Sequence, residues 1–228
     1  FHNFVTVNWA AYSPANAGGY GFNAAAEQRL PGALSSFGSS TLSIGRDRFS
    51  NYAVKLLERS VLDFLANGFS NAAFQEFGLS SGIDHTALSF NTKAKTLRGL
   101  HFQASPIMDE KLVQCVQGAI FDVVVDIRPN SQTLGCWFSV ELKSTSHIAL
   151  FIGRGFAHGF LTLRNDTLVS YHMTHEYDPA LSRGIRWNDP DLAIKWPRSP
   201  AVIAKHDEKW PNLADVSLLD LGLAGDVG

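Results

Sequence analysis

From about Leu88 onward the chain is a succession of short apolar segments separated by turn residues, with no helical periodicity between them. KLVQCVQGAIFDVVVDIRP reads as two strands joined at Gln117–Gly118, with Pro129 ending the second. GCWFSVEL, HIALFIG, HGFLTL and TLVSYHMTHEY follow at short intervals. Closely spaced strands without intervening helices predict a mainly β domain, an antiparallel sandwich or barrel.

The segments before this block read differently. Residues 1–50 are rich in Gly, Ala, Ser and Asn, as in YSPANAGGYGFNAAAEQRLPGALSSFGSS, and predict an irregular extension on the domain or on a partner subunit. Residues 51–87 read as a helical lead-in: Val54, Leu57, Val61, Leu62 and Leu65 recur at helical spacing. Ser50 can cap that helix and Asn67–Gly68 can end it, and a second short helix is expected over Ser70–Gly78. Residues 88–228 form the β domain, with a tail of loops and a short closing segment after Trp196.

With 45% hydrophobic and 18% charged residues, the chain can build a real core. A formal charge of −2 and scattered basic residues argue against nucleic-acid binding. No apolar run is long enough to span a bilayer and no signal-peptide pattern is present, so a cytoplasmic protein is expected. The chain opens on Phe1 rather than Met, as a processed or trimmed product would. Cys115 and Cys136 lie in apolar surroundings without zinc-ligand spacing, and reduced core thiols are expected.

The segment LRGLHFQ, Leu97 to Gln103, sets the chemical question. Strand alternation points Arg98 one way and Leu97, Gly99, His101 and Gln103 the other. His101 is then a buried structural histidine, a metal ligand or a base. The H-x-H pair of metal-holding β-barrels is missing, and His147, His158, His172, His175 and His206 are dispersed, so no metal is expected. There is no G-x-S-x-G elbow, neither cysteine has an activating neighbour, and GGYGFN matches no phosphate loop. Proton chemistry remains. Lys111 follows His101 after the loop FQASPIMDE and can face the same cavity. His158 sits among small residues in GRGFAHGF, and the Tyr171 hydroxyl, inside an apolar strand, needs a partner or a task. Taken singly, each also has an ordinary structural explanation.

The joint pattern is more specific. TLRGLHFQ, the paired strands through GCWFSVEL, GFAHGFLTL and RGIRWNDPDLAIKWP closely resemble, in order and spacing, dTDP-4-dehydrorhamnose 3,5-epimerases from about Ser89 to Leu213. The resemblance implies a cupin jelly roll, usually a homodimer, that works without metal or other cofactor on a nucleotide-linked 4-keto-6-deoxy sugar. It implies His101 as the base, Asp207 as the carboxylate that orients it, Lys111 beside the developing enolate and Tyr171 as the acid on the opposite face. It also implies substrate-binding roles for Arg98, His158, Lys205 and Gln103.

The departures cluster in positions that bind the nucleotide. Leu62–Asp63 stands where the family carries Arg-Gly, His85-Thr86-Ala87 replaces a Gln-x-Asn pair, and Ser182 replaces a glutamate. Catalytic positions are kept. The expectation is an active epimerase with an altered donor site, acting at C3, C5 or both. The alternatives are a catalytically silent sugar- or nucleotide-binding cupin and a metal-dependent cupin enzyme.

Overall fold

The computed structural model describes residues 82–146 and 148–216, together with the backbone of three short upstream strands. In chain order the strands are β1 (Phe4–Val5), β2 (Tyr20–Phe22), β3 (Lys55–Glu58), β4 (His85–Asn91), β5 (Thr96–Gln103), β6 (Lys111–Gln117) and β7 (Ala119–Asp126). They continue with β8 (Trp137–Lys143), β9 (Ile148–Ile152), β10 (Phe156–Thr162), β11 (Thr167–Met173), β12 (Ser182–Gly184) and β13 (Val202–Ile203). One sheet runs β1-β3-β9-β6-β11-β4; the other runs β12-β5-β10-β7-β8-β2, with β13 also on β5. Pairing is antiparallel throughout except for β13 on β5. This is the expected jelly-roll sandwich.

The two strands read around Gln117–Gly118 are β6 and β7, and they lie in different sheets. Gly118, at φ 81°, carries the chain from one sheet to the other, and a Cβ there would lie 2.5 Å from the Thr167 hydroxyl. Between the sheets pack Val113, Cys115, Leu150, Ile152 and Val169 from the first and Ile120, Val124, Phe138, Val140, Phe156 and Phe160 from the second. The second sheet is also buried on its outer face, where Val123, Val125, Trp137 and Ala157 meet Ile185 and Leu192 of the C-terminal loops. That two-sided burial explains the nearly unbroken apolar run of β7. The Trp137 indole N–H donates to the Leu192 carbonyl at 2.8 Å and ties those loops down.

Two expectations for the upstream region are corrected. Within the expected helix after Ser50, Lys55–Glu58 is instead a strand antiparallel to β9. Leu56 and Leu57 fit either period over so short a run, and an open sheet edge decides between them. Two stretches of the expected irregular extension are also strands, β1 on β3 and β2 on β8. The rest of both expected helices, Leu62 and Asp63 included, lies outside the described residues. Both cysteines are buried and neither forms a disulfide. Among the described residues, no helix is long and apolar enough to cross a membrane.

Candidate active site

The site begins with a bulge in β5. His101 pairs with His158 and Arg98 with Phe160, so three steps along β5 match two along β10. The extra residue is Gly99, at φ 109°, and a Cβ on it would lie 2.6 Å from the Gly159 Cα. Only glycine fits that conformation and that approach. The bulge corrects the simple alternation: Arg98 joins His101 and His158 on the inner face of the sheet. Opposite them, Met173 pairs with Lys111 and His85, and Tyr171 with Val113 and Ala87. Cross-strand partners share a face, so Lys111, Tyr171, His85 and Ala87 line the facing wall.

His101 is held by a residue far along the chain. β13 joins β5 in parallel, pairing Val202 with Thr96 and Ile203 with Leu97. A turn beyond β13, closed by Asp207 N–H to the Ala204 carbonyl at 2.9 Å, returns Asp207 to β5. The fully buried Asp207 accepts His101 Nε2–H on Oδ1 at 2.6 Å and Gly99 N–H on Oδ2 at 3.2 Å. Burial would raise the Asp207 carboxyl, but the hydrogen bond and charge of His101, with Gly99 N–H and His206, hold it below the usual carboxylate range. Asp207 therefore stays ionised and presents an acceptor to the imidazole. With Nε2 so occupied, Nδ1 of His101 is the nitrogen left to take a proton.

Two neighbours complete this cluster. His206 Nε2 lies 3.0 Å from Asp207 Oδ1, and its ring stacks on His101 with centroids 5.8 Å apart. The Trp210 indole N–H donates to the same oxygen at 3.2 Å. Trp210 lies so close over Gly184, the cross-strand partner of His101, that a Cβ on Gly184 would meet the indole at 2.5 Å.

A second histidine–carboxylate pair sits deeper. His158 Nε2 donates to Asp122 Oδ1 at 2.5 Å, with Asp122 wholly buried. The His158 ring meets Tyr171 edge-on with centroids 6.1 Å apart. Burial first, and then the Asp122 charge, push the Tyr171 phenol far up, while Ser89 and Arg98 act the other way. Tyr171 is thus kept protonated, the state an acid needs. The same two influences raise the Cys115 thiol to about 11, which leaves it unreactive.

Among the remaining expected site residues, Arg98 Nε donates to Asn91 Oδ1 at 3.2 Å, linking the two sheets beside Tyr171. Lys111 Nζ lies 3.4 Å from Asp109 Oδ2. Gln103 is buried and both ends of its amide hold loop backbone, at Glu176 O and Asp178 N, each at 3.1 Å. In this arrangement it orders the loop after β11. Lys205 is exposed on the turn that carries Asp207. Ser182 pairs with Gln103 at the start of β12.

Sequence reasoning missed Asp122, His206 and Trp210. A carboxylate flanked by apolar residues in AIFDVVV, on the inward alternation, is a signal for Asp122. His206 and Trp210 flank Asp207 within one turn of chain, and proximity to that carboxylate is the available clue.

Comparison with known proteins identifies the family. The family model described as dTDP-4-dehydrorhamnose 3,5-epimerase matches residues 63–215. A dTDP-4-dehydrorhamnose 3,5-epimerase of Sinorhizobium fredii is 38% identical over 155 residues, 65% of this chain and 80% of that protein. A dTDP-4-dehydrorhamnose 3-epimerase of Streptomyces niveus is 39% identical over 127 residues, 56% of this chain and 60% of that protein. A Legionella pneumophila dTDP-6-deoxy-D-glucose-3,5-epimerase, solved with dTDP-4-keto-L-rhamnose, superposes with a TM-score of 0.66 at 30% identity, covering 74% of this chain and 92% of that one. The chain belongs to the dTDP-4-dehydrorhamnose 3,5-epimerase family.

Proposed function

We propose that the chain epimerises a nucleotide-linked 4-keto-6-deoxy sugar at C3, C5 or both, by taking a proton from one face and returning one to the other. The observation that carries this reading is the placement of the His101–Asp207 dyad on one sheet and Tyr171 on the facing one. A carbon beside a C4 ketone is acidic because its anion is an enolate. Deprotonation there needs a positioned base and a positive charge near the developing oxyanion. His101 takes the proton on Nδ1, and Asp207 stabilises the imidazolium through Nε2–H. Lys111 stands by the enolate oxygen as the countercharge. Tyr171 delivers the new proton from the opposite wall. Its phenolate is costly beside Asp122, and the nearby Arg98 cation offsets part of that cost. Asp122 holds His158 in one orientation for the sugar.

Arg98 and Lys205 are the cations for the diphosphate or sugar, a role that suits their types. His85 and Ala87 border the cavity beside Met173 and Tyr171, and Ser182 stands on β12. Their departure from the family pattern supports an altered donor site. The exposed Leu88 and Phe90 on β4, a sheet edge, support a homodimer, and the reading carries with it a cytoplasmic location.

Incubation with dTDP-4-keto-6-deoxyglucose in heavy water tests the reading. Deuterium is expected at C3, C5 or both. Binding without incorporation, with any nucleotide donor, would instead mark a silent binding module.

A further inference from the structure

Two imidazoles meet at Asp207. His101 Nε2 and His206 Nε2 face the same carboxylate oxygen, at 2.6 and 3.0 Å. One nitrogen from each imidazole and one carboxylate oxygen lie within 4.8 Å of one another. Bonds of about 2.0–2.2 Å in a tetrahedral zinc site put neighbouring donors roughly 3.3–3.5 Å apart. The two nitrogen–oxygen sides found here, 2.6 and 3.0 Å, fall just under that spacing, so an ion enters once the side chains part slightly.

We propose that His101, His206 and Asp207 form a three-ligand site for a borderline-soft divalent cation, Zn2+ foremost, which inhibits the enzyme by capturing its base. The inhibitory part rests on the epimerase reading; the binding part does not. Two imidazoles and one carboxylate are a donor set of zinc sites that leave a fourth position to water. Hard ions such as Mg2+ prefer an all-oxygen shell and are excluded by the same donors. The three ligands are well supported. Asp207 is clamped by Gly99 N–H on its other oxygen and by the Trp210 indole, and His101 is fixed in β5. Such outer partners raise metal affinity by holding ligands in place. The His206 side chain is 64% exposed, which gives an ion its entry.

The consequence follows from the tautomer. A metal on Nε2 requires each neutral ring to carry its hydrogen on Nδ1. His101 then has no lone pair for a carbon-bound proton, and a positive charge lies beside it. The cation is a competitor of the reaction and not its cofactor, so the missing H-x-H and this site are compatible. The sequence concealed the site because two of its ligands are adjacent in KHDE and the third lies more than a hundred residues upstream.

Isothermal titration of the chelator-stripped full chain with ZnCl2, without substrate, tests binding directly. One tight equivalent is expected per chain, with none for MgCl2. His206→Ala and His206→Asn should each weaken it by at least about 10-fold, the scale of even an indirect ligand partner, while His175→Ala leaves it unchanged. Co2+ should give the intense visible absorption of a four-coordinate site in the parent chain and not in the His206 variants. Absence of a stoichiometric Zn2+ event, or its survival in both His206 variants, overturns the site. In the heavy-water assay Zn2+ should suppress deuterium incorporation and EDTA should restore it. Binding without that suppression overturns the inhibitory role, whereas a metal-free chain that never incorporates deuterium overturns the epimerase reading alone.

Discussion

Arg98 and His101 point into one cavity although they stand an odd number of steps apart along β5, because Gly99 forms a bulge between their cross-strand partners Phe160 and His158. The bulge does two further things. Its N–H holds Asp207, and its lack of a side chain lets Gly159 approach. Arg98, His101 and Asp207 are thus all registered by one residue.

Gly99→Ala therefore damages both stability and catalysis. A Cβ would meet Gly159 Cα at 2.6 Å and the backbone would be held at φ 109°. A loss of about 1–3 kcal/mol is expected for such backbone strain, read by urea unfolding, together with reduced kcat. An unchanged midpoint and unchanged turnover would refute the role of the bulge.

His101→Ala should lower deuterium exchange by about 10²- to 10⁴-fold, the usual worth of a positioned base. Asp207→Asn should fall in the same direction, since an amide can donate to Nε2 and so favour the wrong tautomer. Near-full activity in His101→Ala would remove it from the base position.

Tyr171→Phe separates the two half-reactions. Proton abstraction by His101 remains, so deuterium can still be exchanged on the face it serves, while inversion is lost. Product analysis by NMR reads this. Normal inversion in the variant would show that another group returns the proton.

Acid stability should carry the signature of His172. This buried ring lies between Thr86 Oγ1 at 3.0 Å and Ser170 Oγ at 3.1 Å, and burial lowers it to about 4 from an ordinary 6.5. Between pH 6.5 and about 4 the unfolded chain binds a proton that the folded chain refuses, so stability falls as pH drops through that window. The loss amounts to a few kcal/mol, because each tenfold difference in proton affinity between the two states is worth about 1.4 kcal/mol. Below pH 4 the depressed Asp207 carboxyl adds a second loss, since its stabilisation disappears as it becomes protonated. Urea midpoints at pH 7 and pH 5 should differ less in His172→Gln than in the parent chain; an equal difference would exclude His172 as the source.

The strands were legible wherever a local pattern decides them. The apolar runs that became β6 to β11 are bounded by Gly118, Pro129 and turn residues, and alternation or two-sided burial marks each one. Lys55–Glu58 was not legible, because four residues with two leucines fit a helix or a strand equally and the edge of β9 chose. Nor could alternation locate Arg98, since a bulge breaks the period it relies on.

The sequence by itself determined the β class and, through its likeness to a family, singled out His101, Asp207 and Tyr171 as the residues proposed for base, carboxylate and acid. Tertiary structure alone decided what surrounds them. Asp207 reaches His101 only because β13 lies parallel on the edge of β5, and that same turn brings His206 and Trp210 onto the carboxylate. Tyr171 and Asp122 face each other across two sheets joined through Gly118. Periodicity reports which face of a strand a residue takes, but it carries no information about which distant element covers that face, and the electrostatics of this site depend on that covering element.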